Sequence, residues 1–337
     1  MIGNHHFFIG EKGLNSIRED LISILKEKQG AWVSGEWLSD RLSVSRSAVW
    51  KHMTRLKGEG YEIRTAPRKG YLLTRLPDSL LVREISEGLQ GTLFEGAKII
   101  VHRKTASTNR SARDLALRGY PEGTIVLAEE QEAGKGRKGR TWFSPEGKGI
   151  YLSLVLRPPV TPGELPRIAV LTAVAAAETL EGLSALPVTI KWPNDLLSGG
   201  RKIGGILLES HAELDLVDFL IVGLGINISV TEEDFPPELR GHATSLLLST
   251  GRTCSRLPVI RAFLSLFDRY YQEVLSGDFP AVRDRWTAFS RLSGKRVTVG
   301  SAGPPVTGVA LGLDDSGILV LRQDSGEIQR VYSGDLI

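Results

Sequence analysis

Apolar residues near the start of the chain recur every three or four positions, the spacing of one face of a helix. The pattern predicts a first helix that Gln29-Gly30 would end. Its apolar positions are Leu14, Ile17, Leu21, Ile24 and Leu25. A second, shorter helix is predicted over residues 35–42, where the hydroxyl of Ser34 is placed to cap the first N–H groups.

A third helix is predicted over residues 46–57, with Ser45 as its cap and an apolar stripe formed by Val49, Met53 and Leu56. Two short helices joined by a tight connection are typical of a helix-turn-helix. Two predicted strands follow, at residues 61–64 and 70–73. The basic turn between them, residues 65–69, would form a wing that contacts phosphates.

The middle of the chain mixes strands with helices. Strands are predicted at residues 98–103, 124–129, 149–157, 188–192, 202–209 and 219–228, and helices at 80–89, 108–118, 165–180 and 258–275. Because several strands follow each other directly, we expect an α+β fold with a largely antiparallel or mixed sheet. Short strands at 296–299, 306–313, 318–321 and 328–332, separated by Asp/Gly/Ser turns, predict a small C-terminal β-barrel.

A chain of 337 residues exceeds one ordinary core, so two or three domains are expected from its length. The predicted elements divide it into three, at residues 14–76, 80–289 and 290–337. No apolar run is long enough to span a membrane, and residues 1–10 lack the pattern of a signal peptide. The single cysteine, Cys254, cannot form an internal disulfide, which favours a reducing cytoplasm. The six histidines lack metal-ligand spacing, so a protein-bound zinc ion is not expected.

Charge is unevenly distributed along the chain. The net charge is +3, but residues 44–75 contain eight bases and two acids, or +6, which leaves about −3 for the remainder. A basic segment on a near-neutral body favours a nucleic-acid-binding module, although a solvated charged face has the same composition.

The predicted third helix and the wing supply the candidate DNA-binding residues. Hydroxyls and long basic side chains suit contacts with phosphates and base edges. The candidates are Ser45, Arg46, Ser47, Trp50, Lys51, Arg68 and Lys69. A winged module that binds protein, or that only supports the fold, remains the alternative.

The densest chemistry lies in residues 134–142, here called the glycine-basic loop, which interleaves three glycines with four bases. Glycine lets the backbone approach a ligand, and the bases suit a phosphate or nucleotide. The loop contains Gly-x-Gly-x-x-Gly, but a strand and not a helix is predicted next, so a dinucleotide fold fits poorly. A P-loop sequence is absent. A nonspecific flexible basic loop remains the alternative.

A second constellation comprises residues 191–195, Lys-Trp-Pro-Asn-Asp, and the hairpin predicted over 196–206. Asn194 and Asp195 are suited to holding a divalent ion beside a triphosphate. Lys202 begins a strand in which Gly204 and Gly205 leave room for a ligand. A lone lysine near a turn is usually solvated, but two basic, glycine-rich places in one domain favour a phosphate site.

These motifs resemble those of biotin–protein ligases. Ser107-Thr108-Asn109, the glycine-basic loop, residues 191–195, residues 201–205 and Gly225-Ile226-Asn227 occur in that family's order across nearly the whole chain. The winged N-terminus is similar to that of bifunctional members, which also repress transcription. The resemblance implies a class II synthetase-like central domain and an SH3-like C-terminal barrel. One departure is Lys135, where many relatives have arginine, which alone forms a bidentate fork.

The resemblance implies ATP-dependent formation of biotinyl-5′-AMP and biotin transfer to a lysine of the biotin carboxyl carrier protein of acetyl-CoA carboxylase. Arg137 and Lys202 would be catalytic. Biotin or its adenylate would contact Ser107, Thr108, Asn109, Gln131, Lys135, Gly136, Arg137, Lys202, Gly204 and Gly205. ATP would contact Lys191, Asn194, Asp195 and Asn227, with Mg²⁺ near Asp195.

The same resemblance implies operator DNA as a partner, biotinyl-AMP as corepressor and ligand-promoted homodimers, with no membrane partner. Two alternatives stay open: a lipoate or octanoate ligase of the same fold, and a repressor that senses a small molecule without catalysis. Phe235 is a candidate cover for adenine, but a surface-loop aromatic is an equal alternative.

Overall fold

The computed structural model describes residues 11–213, 216–300 and 303–337, so the expectation about a signal peptide in residues 1–10 lies outside the described residues. The chain forms two compact units, Met1–Ser79 and Leu80–Ile337. The second unit holds both the central and the C-terminal segments, and their division at residue 290 stays a prediction. Within the described residues no helix is long and apolar enough to cross a lipid bilayer.

The first unit is a winged helix-turn-helix, as predicted. Its elements are α1 (Glu11–Glu27), α2 (Gly35–Arg41), α3 (Arg46–Gly58), β1 (Glu62–Ala66) and β2 (Gly70–Arg75). Both predicted caps are confirmed, because Ser34 Oγ accepts from the N–H of Glu36 at 3.2 Å and Ser45 Oγ from that of Ala48 at 3.2 Å. The strands β1 and β2 form the antiparallel wing.

The wing packs tightly on the segment before α2. Val33 and Tyr71 exchange backbone hydrogen bonds of 2.7 and 2.8 Å. Gly70 has φ +95°, and a Cβ there would lie 2.1 Å from the carbonyl oxygen of Val33. Only glycine permits this backbone approach, so Gly70 fixes where the wing turns.

The second unit contains a mixed sheet followed by an antiparallel one. The central elements are α4 (Val82–Ser86), β3 (Ile99–Thr105), α5 (Thr108–Leu117), β4 (Ile125–Gln131), β5 (Gly149–Leu156), α6 (Leu165–Ser184), β6 (Thr189–Lys191), β7 (Asp195–Ser198), β8 (Arg201–Glu213), β9 (Leu216–Asn227), α7 (Leu246–Thr250), α8 (Arg256–Leu275) and α9 (Phe279–Ser290). The strand order is β3-β4-β5-β9-β8-β7-β6; β3 and β4 are parallel and the other neighbours antiparallel.

Alternate side chains of the central strands enter two different cores. Leu152 and Leu154 of β5 point into the large core that includes α6, α8 and α9, whereas Val155 packs with Ala112 of α5 on the opposite face. Strands buried on both faces explain why β5 is buried at every position. The α5 face carries the site described below.

The C-terminal segment forms an antiparallel sheet in the order β13-β12-β11-β10-β14, and this sheet corresponds to the expected small β-domain. Its strands are β10 (Arg296–Gly300), β11 (Val306–Leu313), β12 (Leu319–Arg322), β13 (Ile328–Val331) and β14 (Asp335–Leu336). Arg167 of α6 donates to the carbonyl of Asp315 at 2.7 Å, and Leu319 and Leu321 belong to the large core. This sheet is therefore packed onto the central one.

One expectation about a helix was wrong, and two helices, α7 and α9, were not predicted. The helix predicted over residues 80–89 is confined to Val82–Ser86, because Leu81 offers no capping oxygen and Gly88 adopts φ +82°. Helix α9 was not predicted, although Phe279, Val282 and Trp286 of its buried face follow helical spacing.

Candidate active site and nucleic-acid interface

Glycines form the floor of a cavity of about 300 Å³ on the α5 face of the central sheet. Gly205 of β8 pairs with Gly225 of β9, and Gly223 lies two residues earlier on the same face. A Cβ at Gly223 would lie 2.1 Å from Asn109 Oδ1, and one at Gly225 would lie 2.5 Å from the Trp142 ring. The side chains of Asn109 and Trp142 therefore occupy space that only glycine leaves open.

One wall of the cavity is a network of buried polar side chains at the start of α5. The backbone N–H of Thr108 donates to Gln131 Oε1 at 2.8 Å, and Gln131 Nε2 donates to Ser144 Oγ at 2.9 Å. Ser153 Oγ lies 2.8 Å from Thr108 Oγ1 and 2.7 Å from Asn109 Oδ1. Each of these groups is fixed by a neighbour, so the wall is rigid before any ligand is considered.

The glycine-basic loop covers the cavity as an ordered turn. Gly136 N–H donates to the carbonyl of Arg140 at 2.7 Å, and Trp142 N–H donates to that of Gly134 at 2.8 Å. A single 3₁₀ turn, Arg137–Gly139, forms its tip, and the next regular element is strand β5. Because a strand and not a helix follows, the loop lacks the strand-to-helix setting of a dinucleotide-binding turn.

Arg137 reaches across the cavity from the tip of the loop. Its Nη1 donates to Asn194 Oδ1 at 3.3 Å, to the carbonyl of Gly334 at 3.2 Å and to Asp335 Oδ1 at 3.4 Å. Burial lowers the pKa of Arg137, while the carboxylates of Asp335 and Asp195 act in the opposite direction. An arginine retains its charge under such conditions, so a partly desolvated cation faces the cavity.

Lys202 supplies the second cation. Its Nζ lies 2.6 Å from Asp195 Oδ1 and 5.4 Å from the centre of the Trp142 ring. Its backbone is held between the carbonyl of His242 and the N–H of Thr244, both at 2.8 Å. Strand pairing and two side-chain partners thus fix where the ammonium group lies.

Most of the predicted ligand-binding residues come together around this cavity. Those that line it are Ser107, Thr108, Asn109, Gln131, Lys135, Gly136, Arg137, Asn194, Asp195, Lys202, Gly205 and Asn227. Lys191 is exposed at the end of β6, and Gly204 faces Leu196 on the opposite side of the sheet, so neither lines the cavity.

Sequence reasoning missed several lining residues. Gly223 carries a detectable signal, because Gly223 and Gly225 alternate with large apolar residues along β9, which places both glycines on one face of the strand. Asp335 carries none, since only the tertiary fold brings it to the cavity. Phe235, which was left open, lines the cavity and is 1% exposed, so it is not a surface-loop aromatic.

The seven candidate DNA-binding residues all lie exposed on the first unit. Trp50 of α3 is 60% exposed, far more than is usual for tryptophan. Arg46 is paired with Glu36, and Lys69 of the wing lies 5.9 Å from the centre of the Trp32 ring. Ser45 caps α3, which uses one of its acceptor sites. Helix α3 and the wing thus present cations and an indole to solvent.

Three family models match the chain in the order of its segments. Residues 17–72 match a helix-turn-helix domain model, residues 101–227 match the biotin/lipoate A/B protein ligase family, and residues 292–337 match the biotin protein ligase C-terminal domain.

Whole-length relatives agree with these matches. The chain is 38% identical to the bifunctional ligase/repressor BirA of Bacillus subtilis, over 96% of this chain and 98% of that protein, and 30% identical to BirA of Escherichia coli, over 96% and 97%. The biotin protein ligase of Aquifex aeolicus in complex with biotin and ATP superposes with a TM-score of 0.61 at 28% identity, covering 71% of this chain and 97% of that one. The chain therefore belongs to the bifunctional ligase/repressor family of biotin protein ligases.

Proposed function

We propose that this protein joins biotin to a carrier protein in two steps. A biotin carboxylate oxygen attacks the α-phosphorus of ATP, the bond to the β-phosphate oxygen breaks, and pyrophosphate leaves. A lysine amine of the carrier then attacks the acyl carbon of biotinyl-5′-AMP, AMP leaves, and the amine loses a proton. The carrier is the biotin carboxyl carrier protein of acetyl-CoA carboxylase, and the reaction takes place in the cytoplasm.

The observation that carries this proposal is the convergence of Arg137 and Lys202 on one glycine-floored cavity. Attack at the α-phosphorus concentrates negative charge on the transferred phosphate. Fixed cations in a partly dry site stabilise that charge more in the transition state than in the ground state. One preorganised donor of this kind contributes roughly 2.7–4 kcal/mol in other enzymes.

The buried polar side chains at the start of α5 suit the ureido end of biotin, away from its carboxylate. Biotin carries a ureido group with two N–H donors and one carbonyl acceptor, and Ser107, Thr108 and Asn109 are buried at 3–4% exposure beside the cavity. The indole Nε1 of Trp142 is buried without a hydrogen-bond partner among the described residues. A ligand oxygen would satisfy that donor.

Mg²⁺ fits this site as a companion of ATP and not as an ion held by protein alone. Among the described residues no group of three or more His, Cys, Asp or Glu side chains forms a metal site. Mg²⁺ commonly takes one or two carboxylates plus substrate phosphates, and Asp195 on the cavity wall can supply one carboxylate. When bound, the ion would neutralise phosphate charge, while Lys202 would be released from Asp195.

The test weighs a carrier domain by mass spectrometry after incubation with the purified protein, ATP, and either biotin or lipoate. We expect one biotinyl group on the carrier, and none when ATP is omitted or the acceptor lysine is replaced by arginine. Lipoyl transfer would instead identify a lipoate ligase. An unmodified carrier with bound biotin would identify a sensor.

The first unit supports a second role, repression of biotin-synthesis genes with biotinyl-AMP as corepressor. Helix α3 exposes Arg46, Trp50 and Lys51, and the wing exposes Arg68 and Lys69. Helix-turn-helix repressors commonly bind two half-sites as dimers, so we expect ligand-promoted homodimers on inverted repeats. A gel shift with and without biotin and ATP tests this role, and DNA binding unaffected by both ligands would contradict it.

A further inference from the structure

The carboxylate of Asp335 pairs with three of the four bases of the glycine-basic loop. Asp335 of β14 lies 3.4 Å from Arg137 Nη1, 2.9 Å from Lys138 Nζ and 3.1 Å from Arg140 Nη2. Asp335 itself lines the cavity. Three bases of one loop therefore share a single anion that comes from the far end of the chain.

The backbone aims this carboxylate at the loop. Gly334 has φ +152°, and a Cβ there would lie 2.3 Å from Val299 Cγ1 and 2.9 Å from the carbonyl oxygen of Gly300. Strand β14 pairs with β10 through Val299 and Gly300. The position of Asp335 is thus set by the sheet and by a glycine that no larger residue can replace without displacement.

The contacts of Asp335 resemble those of a phosphate oxygen, since guanidinium and ammonium groups bind both anions. On the function proposed above, the same Arg137 must face a phosphate. A carboxylate at the cavity wall repels a polyphosphate, and the same loop cations are the partners available to both anions. Carboxylate and phosphate therefore compete for one set of cations.

We propose that Asp335 is a positioning residue that stands in for phosphate: it holds the glycine-basic loop over the cavity until nucleotide enters and then yields Arg137 to the nucleotide. This inference rests on the proposed function, because it assigns the loop cations to ATP. It gives the C-terminal sheet a part in nucleotide binding, although that sheet contributes no group to the bond-making steps.

The experiment measures binding of inorganic tripolyphosphate to the full-length protein by calorimetry at low salt, and cleavage of the loop by trypsin, which cuts after Lys and Arg. Asp335→Asn removes the charge but keeps the shape, and Asp335→Glu keeps the charge. Asp324→Asn is the matched control, since Asp324, in the turn between β12 and β13, also pairs with an arginine, Arg296 of β10.

We expect Asp335→Asn to bind tripolyphosphate roughly fivefold more tightly, the upper end of the effect of one solvent-exposed charge pair. In the same variant trypsin should cleave the glycine-basic loop faster, and added tripolyphosphate should slow this cleavage again. Asp335→Glu and Asp324→Asn should behave like the unmodified protein. Equal or weaker tripolyphosphate binding by Asp335→Asn, or an unchanged cleavage rate, would overturn the proposal. Neither readout requires biotin. A failure to make biotinyl-AMP would therefore contradict the proposed function without deciding the role of Asp335.

Discussion

Arg137 and Asp335 are separated by 198 positions in the chain, yet Arg137 Nη1 lies 3.4 Å from Asp335 Oδ1. The loop that covers the cavity is therefore tied to the C-terminal sheet. Because Arg137 also donates to Asn194, one side chain joins three distant segments around the same space.

Replacing Arg137 with glycine should loosen this cover. On the proposed function the loop would exclude water as well as bind phosphate, because an adenylate hydrolyses readily when water reaches it. We expect Arg137→Gly to lose biotinyl-AMP on the order of 100-fold faster, the effect of one lost oxyanion donor. Retention of radiolabelled adenylate on a desalting column measures this loss.

The same variant should also biotinylate bystander proteins, because released adenylate acylates any exposed lysine. Arg118→Gly, an exposed arginine at the end of α5, is the control and should retain adenylate normally. If Arg137→Gly kept both retention and selectivity, the role of the loop would be refuted.

The glycine floor makes a steric prediction. A Cβ at Gly225 would lie 2.5 Å from Trp142, so Gly225→Ala must displace the indole. We expect a large rise in the KM for biotin with a smaller effect on folding, measured by steady-state kinetics and thermal melting. Gly182→Ala in α6 meets nothing within 4 Å and should leave the KM unchanged. Normal biotin binding by Gly225→Ala would show that the floor does not contact the ligand.

Low pH should reduce the stability of the segment around Asp234, which precedes Phe235. Lys148 Nζ lies 2.5 Å from Asp234 Oδ2, and Thr231 N–H donates to the same carboxylate at 2.8 Å. Burial alone would raise the pKa of Asp234, but these hydrogen bonds hold it below its usual value. A carboxylate of this kind stabilises the fold above its unfolded-state pKa, and that contribution is lost as pH falls through the folded-state pKa.

Accordingly, Asp234→Asn should lower the melting temperature of the second unit at pH 7 by roughly 2–6 °C, the effect of losing one charge-assisted hydrogen bond. The difference from the unmodified protein should shrink below about pH 4, where a carboxyl group is protonated anyway. Calorimetry across this range measures both melting temperatures. A difference that does not vary with pH would exclude the ion pair as its cause.

The wing makes a prediction about DNA. Lys69 is exposed and suits a phosphate contact, so Lys69→Ala should weaken binding to operator and random DNA alike and reduce the salt slope by about 1. Fluorescence anisotropy over a salt series measures this slope. Lys98→Ala, at an exposed lysine of the second unit, is the control. A loss of affinity confined to the operator would show instead that Lys69 reads bases.

Features that depend on neighbouring residues, such as helix caps, could be predicted from the sequence. Contacts between residues far apart in the chain could not. The capping serines Ser34 and Ser45 act within their own helices, so residue type and spacing suffice to find them. Asp335 lies in a two-residue strand, and its partners are brought near only by packing of the C-terminal sheet. Lys191 shares a motif with Asn194, but strand alternation and the following turn leave it exposed outside the cavity.

The most direct test is a crystal structure of the protein with biotinyl-5′-AMP bound. The account predicts phosphate oxygens at hydrogen-bond distance, about 2.7–3.2 Å, from both Arg137 and Lys202. It also predicts the biotin rings against Asn109 and Trp142, the side chains that lie over Gly223 and Gly225, with Arg137 turned from Asp335 toward the ligand. A ligand bound away from Arg137 and Lys202 would contradict the proposed chemistry.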